Sequence, residues 1–176
     1  MVDPGHGGKD PGAMPKFSGQ MAEKVIVLDV SNRVKRLLSE RGARIVMTRT
    51  SDRFLSLQER ANIAERHRAD LFISIHADSA KRKNASGAGV HIYTRASAQS
   101  QKAALKMVSA FKKAGIKCRG IYRNNYHVLR EHSRPAMLLE CGFLTNPGDA
   151  RNLNSAGYRA QIAAAIANGI IDYVSQ

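Results

Sequence analysis

The chain has 176 residues, one domain's worth, and its 43% hydrophobic content is that of a globular chain rather than a disordered one. No apolar run approaches the roughly 20 residues that a membrane span requires, and Met1-Val2-Asp3-Pro4 is not the basic-then-apolar opening of a signal peptide. Lys and Arg number 28 against 14 Asp and Glu, a formal net charge of +14.

In chain order, residues 3–20 hold five glycines and three prolines and read as a shaped loop. Residues 22–41 read as a helix, with Ile26, Val30, Val34, Leu37 and Leu38 on one face and Gly42 as its stop. Arg44–Thr48 is expected as a short strand. Ser56–Ala69 is expected as a second helix, with Ser56 and Glu59 spaced as a capping box. Leu71–Ile75 is apolar and β-branched, the pattern of a central strand, and Gly89–Thr94 reads as another. Ser97–Ala114 reads as a basic amphipathic helix with Leu105, Val108 and Phe111 inward. Tyr126–Leu129 and Ala136–Leu139 are expected as two more strands. The tail from Pro147 to Val174 reads as one or two helices, whose run Ala163–Ala167 packs close to a neighbour. Such alternation implies a single α/β domain over 1–176, large enough to bury roughly 70% of the unfolded chain's surface.

Four segments carry chemistry. Asp3-Pro4-Gly5-His6-Gly7-Gly8 puts one His among glycines, where other groups approach the imidazole closely. It is neither a dinucleotide fingerprint nor a P-loop, since Asp10 stands at the sixth position of GxGxxG counted from Gly5 and no GxxxxGK[ST] occurs. Glu23 falls in the first turn of the first long helix, a place the helix dipole favours for any acid. Ser74-Ile75-His76-Ala77-Asp78 ends an apolar strand on a His, where α/β sheets place active residues. Met137-Leu138-Leu139-Glu140 ends another on an acid, which is costly there unless paired or functional.

Each segment alone also admits a structural reading. Together, two His and one Glu make a catalytic zinc set with a fourth position left for water, and Glu140 is then a separate carboxylate to take the water's proton. The HExxH and GxSxG patterns are absent. Cys118 and Cys141 read as two reduced thiols rather than a metal site. Between Ser79 and Arg130 stand 12 basic residues and no acidic one. Such a one-sign field attracts polyanions, including nucleic acid, teichoic acids, anionic lipids and lipopolysaccharide.

These segments resemble the zinc-dependent N-acetylmuramoyl-L-alanine amidases of amidase family three. The matching residues are Asp3 to Gly8, Ala22 to Leu28, Thr48-Arg49, Leu57 to Ala64, Leu71 to Asp78, Tyr126 to Arg130 and Pro135 to Asn146, in the family's order. The resemblance implies a three-layer fold: a twisted, mostly parallel (mixed) sheet of about six strands flanked by helices on both faces. It implies that His6, Glu23 and His76 bind one Zn²⁺ and that Glu140 is the catalytic carboxylate. The implied substrate is the peptidoglycan amide between N-acetylmuramic acid and the L-alanine of the stem peptide.

Two departures stand out. Only Met1 and Val2 precede Asp3, so the first strand is expected to be shortened or to start differently. The connection from Asp78 to Gly89 is too short for the long blocking helix of activator-dependent members, and Thr94 to Tyr126 is mostly used by one helix, so the chain resembles the uninhibited type of phage endolysins and Gram-positive autolysins. Further expectations are that Arg130 and Asn146 position substrate, that segment 79–130 holds anionic cell-wall polymers rather than nucleic acid, and that a monomer acts outside the cytoplasm, at the cell wall or periplasm. Two rival readings remain at this level. One is a zinc carboxypeptidase or peptide amidase on a similar scaffold; the other is a non-catalytic polyanion binder, which would leave His6, Glu23, His76 and Glu140 without a role.

Overall fold

A computed structural model describes residues 1–14, 19–80 and 84–175. Within them a five-stranded mixed sheet runs in the order β1-β2-β5-β3-β4. The strands are β1 (Val2–Pro4), β2 (Phe72–Asp78), β3 (Ala88–Tyr93), β4 (Cys118–Asn124) and β5 (Ala136–Phe143). All neighbouring pairs are parallel except β3 with β5. The helices are α1 (Glu23–Ser39), α2 (Leu57–Arg66), α3 (Ala98–Lys113), α4 (His127–Arg130), α5 (Pro147–Asn154) and α6 (Ala156–Val174).

Alternation along the strands decides the layers. Ile73, Ile75, Ala77, Val90, Ile92, Met137, Leu139 and Cys141 face the main core, which α1, α3 and α6 close. Phe72, Ala136 and Leu138 face the other way and join Ala64 of α2 and Val128 and Leu129 of α4 in a smaller cluster. On that second face His76 and Glu140 lie farther along the same strands, side by side in the β2–β5 register.

The expected helices form with close bounds. In α1, Ile26, Val30, Val34 and Leu38 are buried. Gly42 adopts a left-handed φ of 81°, and Ala43 N–H donates to Leu38 O at 3.1 Å. Ser56 and Glu59 form the reciprocal capping box of α2. The tail is two helices, and a Cβ on Gly169 of α6 would stand 3.0 Å from Met107 Sδ, so α3 and α6 pack at close quarters.

Four expectations change. The sheet has five strands rather than about six, because the 44–48 segment adds only a bridge from Met47 to Val2, with Val2 N–H to Val46 O at 2.9 Å and Thr48 N–H to Val2 O at 3.1 Å. Farther along β1's outer edge Pro4 has no N–H to give, and its carbonyl is taken by Arg49 and Arg60. Tyr126–Leu129 is not a strand. Helix α4 lets the adjacent Val128 and Leu129 bury together, where a strand would send them to opposite faces. β4 escaped the sequence reading because none of its residues is fully buried, so it shows no apolar alternation. In α3, Leu105 is 63% exposed while Ala103, Ala104, Met107 and Phe111 face inward.

Candidate metal centre and catalytic site

His6 leaves β1 on a turn in which His6, Gly7 and Gly8 take left-handed φ values of 57°, 123° and 58°. Gly7 N–H and Asp10 N–H each donate to the other's carbonyl, at 2.9 and 3.1 Å. The turn therefore returns Asp10 to His6, whose Nδ1 donates to Asp10 Oδ2 at 2.9 Å. That bond fixes the tautomer and turns Nε2 inward as a lone-pair donor. Glycine is required around this point: a Cβ on Gly12 would lie 2.6 Å from Glu23 Oε2.

Glu23 opens α1 and is buried. Ala13 N–H donates to its Oε2 at 2.7 Å and Ala77 N–H to its Oε1 at 2.9 Å. His76 stands near the end of β2, its ring edge-on to that of His6 with centroids 4.8 Å apart. Three atoms converge: His6 Nε2 to Glu23 Oε1 is 3.0 Å, His76 Nδ1 to Glu23 Oε1 is 3.1 Å, and His76 Nδ1 to His6 Nε2 is 3.1 Å. A tetrahedral zinc ion with bonds of about 2.0–2.1 Å holds its donors about 3.3 Å apart. The donor types and spacing therefore fit a metal with only a small outward movement.

The electrostatics match this clustering. Burial works to raise the Glu23 pKa, but hydrogen bonds and charge from His6 and His76 overcome it and hold the carboxylate well below its ordinary range. Burial works to lower the His6 pKa, and Glu23 and Asp10 reverse the sign and raise it. Glu140 shows the opposite balance: burial, reinforced by the charges of Asp78 and Glu23, pushes its pKa well above the usual carboxylate value against the pull of Arg119. Its Oε2 is buried with no hydrogen-bond partner among the described residues.

A cavity of about 400 Å³ opens over these groups. Its polar lining is Asp3, His6, Asp10, Arg60, His76, His127 and Glu140, and its apolar lining is Phe54, Leu55, Leu57, Tyr126, Val128 and Leu138. Its size is in the range of small-molecule sites. His6, Glu23, His76 and Glu140 are thus brought together from four elements or their edges. Arg130 and Asn146 are not among the lining residues. Arg130 Nε pairs with Glu131 Oε1 at 2.5 Å, and Asn146 Oδ1 caps α5 by accepting from Gly148 and Asp149 N–H at 3.0 and 3.1 Å.

Of the basic segment, Lys81, Arg82 and Lys83 lie outside the described residues. Arg95, Lys112, Lys113, Lys117, Arg123 and Arg130 are exposed, on and around α3, β4 and α4. Arg119 turns inward, its guanidinium 4.5 Å from the Phe143 ring centre and 3.7 Å from Asp78 Oδ2. Cys118 and Cys141 are free thiols, as expected. The sequence reading missed Asp10, although an acid four residues beyond a His in a glycine turn was a usable signal. Nor do local patterns give a role to Arg49 and Arg60, whose bonds to Gly5 and His6 join residues more than 40 positions apart.

Fold and donor set together define a three-layer α/β domain with a two-His, one-Glu centre competent to hold a metal. The profile of the family described as N-acetylmuramoyl-L-alanine amidase matches residues 1–172. The chain is 38% identical over 175 residues to the Staphylococcus epidermidis protein named "Probable cell wall amidase LytH", covering 99% of this chain and 58% of that protein. It is 35% identical to N-acetylmuramoyl-L-alanine amidase LytC of Bacillus subtilis over 98% of this chain and 34% of that protein. The catalytic domain of the amidase CwlV from Bacillus (Paenibacillus) polymyxa superposes with a TM-score of 0.91 at 35% identity, covering 99% of this chain and 96% of that domain. The chain belongs to the N-acetylmuramoyl-L-alanine amidase family. It spans a little over half the length of the first of these curated relatives.

Proposed function

We propose that residues 1–176 form a single catalytic domain that hydrolyses the peptidoglycan amide between N-acetylmuramic acid and the L-alanine of the stem peptide, with one zinc ion. The observation that carries this reading is the convergence of His6 Nε2, Glu23 Oε1 and His76 Nδ1 beside the buried Glu140, at the wall of an open cavity. When bound, zinc would supply Lewis-acid chemistry, acidifying a water toward neutrality and polarising the scissile carbonyl.

The chain's own groups do the rest. His6, Glu23 and His76 hold the metal, and Asp10 keeps His6 in the donating tautomer. Glu140, made more basic by burial and by neighbouring negative charge, takes the attacking water's proton and returns it to the leaving alanine nitrogen. The apolar side of the cavity thins the water around this transfer. The enzyme acts as a monomer outside the cytoplasm, and the exposed cations of 79–130 hold it on anionic wall polymers.

The test is digestion of purified peptidoglycan with and without a chelator, with the new termini identified. New L-alanine amino termini and free lactyl groups, lost on chelation and restored by zinc, are the expected result. Cleavage within the stem peptide would point instead to a carboxypeptidase or endopeptidase, and cleavage unaffected by chelation would remove zinc from the scheme.

A further inference from the structure

Two arginines that the proposed mechanism leaves idle are almost wholly inside the protein, Arg49 at 1% and Arg60 at 3% exposure. Burying guanidinium groups is costly unless their donors are satisfied. Arg49 Nη1 donates to Ser51 O at 3.1 Å and Arg60 Nε to Leu55 O at 3.3 Å, and the remaining bonds reach the segments that carry the metal-facing side chains.

Arg49 Nε donates to Pro4 O at 3.1 Å. Its Nη2 donates both to Gly5 O at 2.7 Å and to Lys24 O at 3.0 Å. Gly5 precedes His6 and Lys24 follows Glu23, so one nitrogen ties the loop of one donor to the helix of another. Arg60 Nη1 donates to Pro4 O at 2.7 Å, and its Nη2 donates to the carbonyl of His6 itself at 2.7 Å. Nη1 also pairs with Asp3 Oδ1 at 2.8 Å, and Asp3 Oδ2 accepts from Ser74 Oγ at 2.7 Å, two residues before His76 on β2. The loop of His6 and the helix of Glu23 therefore meet this pair of guanidinium groups directly, and β2 is tied to them through Asp3.

The frame has something to hold. His6 is one of only two non-glycine residues with a left-handed φ among the described residues, at 57°. A β-carbon makes that conformation costly. A Cβ on Gly7 would meet Arg53 O at 2.2 Å and Arg49 Nε at 3.0 Å, so the Arg49 side chain and the Arg53 carbonyl together pack against the turn. Planar forks with several fixed donors suit this task, and a lysine with one mobile ammonium does not reproduce it.

We infer that Arg49 and Arg60 are positioning residues: they hold His6 in its left-handed conformation and set the spacing of His6 against Glu23 before any metal arrives. The inference rests on the metal-holding role proposed for those side chains. Preorganisation of this kind shows in affinity, and loss of an outer partner of a metal ligand costs about 10–100-fold.

The test compares Arg49→Lys and Arg60→Lys with Arg159→Lys. Arg159 is a similarly buried arginine that bonds Asp29 Oδ2 and the carbonyls of Leu153 and Asn154, away from the donors. Zinc affinity is measured by competition with a chromogenic chelator, alongside the melting temperature of each metal-free protein. The expected result is zinc binding weaker by about tenfold or more in the Arg49 and Arg60 variants, with wild-type affinity in the Arg159 variant at a comparable loss of melting temperature. Equal affinity in all three would overturn the inference. Absence of zinc binding by the wild type would instead defeat the metal reading. The backbone ¹³C shifts of His6 in metal-free protein then decide the frame: a left-handed signature lost in Arg60→Lys supports it, and one retained there overturns it.

Discussion

Gly5 packs so tightly against His76 that a Cβ on Gly5 would sit 2.3 Å from the imidazole Cε1 and 2.6 Å from Nε2. The loop after β1 and the end of β2 can approach to this distance only because one of them has no side chain there. Gly5 does not need a left-handed φ, so an alanine is strained by this contact alone. Gly5→Ala is expected to swing the His76 ring out of the donor cluster and weaken zinc binding by about tenfold or more. Metal content after dialysis against a weak chelator, read with the melting temperature, checks this. Unchanged zinc retention would mean that the ring has room to move.

Glu140 lies beside the donors in the sheet register but is not one of them. Glu140→Gln removes the proposed proton acceptor and keeps the volume. Zinc should stay bound at one per chain while hydrolysis of peptidoglycan falls by about 10²–10⁴-fold, the usual weight of general acid–base catalysis. Measured turnover close to that of the wild type would transfer the proton-carrying role to another group.

The two faces of α3 give a stability prediction. Phe111 is fully buried and Leu105 is 63% exposed. Phe111→Ala should cost about 3–5 kcal/mol, and Leu105→Ala no more than about 0.5 kcal/mol. Urea denaturation of both variants distinguishes this packing from one in which Leu105 points inward.

The exposed cations around α3 and β4 predict that adsorption to cell walls depends on salt. Raising ionic strength from about 0.1 M to about 1 M shortens the Debye length from about 10 Å to about 3 Å. Most of the protein should then desorb in a sedimentation assay. Adsorption that survives high salt would indicate a shaped pocket rather than a field.

Much of the candidate site can be read along the chain. His6, His76 and Glu140 each follow a residue pattern local to a few positions, and Glu23 opens a helix whose apolar spacing is unmistakable. The capping box of α2 and the stop at Gly42 are equally local, and both form as written. Errors arose where local pattern and packing disagree. Val128 and Leu129 read as strand residues, but both are drawn to one side by the cluster with Phe72 and Leu138. β4 has no apolar face to announce it because it lies at the sheet edge and is half exposed.

What the sequence determined by itself is therefore the cast: an α/β domain, two imidazoles and two carboxylates on separate segments, and an excess of positive charge in the middle of the chain. Only the tertiary structure decided how they stand. It put three donor atoms 3.0–3.1 Å from one another, left Glu140 out of the set, and turned Arg119 inward while Arg95, Lys112, Lys113, Lys117, Arg123 and Arg130 stay exposed. It also closed Gly5 onto His76 and gave Arg49 and Arg60 their backbone partners. The physical reason is range. Periodicity, caps and turns are set by neighbours a few residues apart, whereas these contacts join residues far apart along the chain, from His6 with Glu23 to Gly5 with His76, and exist only once β1, β2 and α1 have packed together.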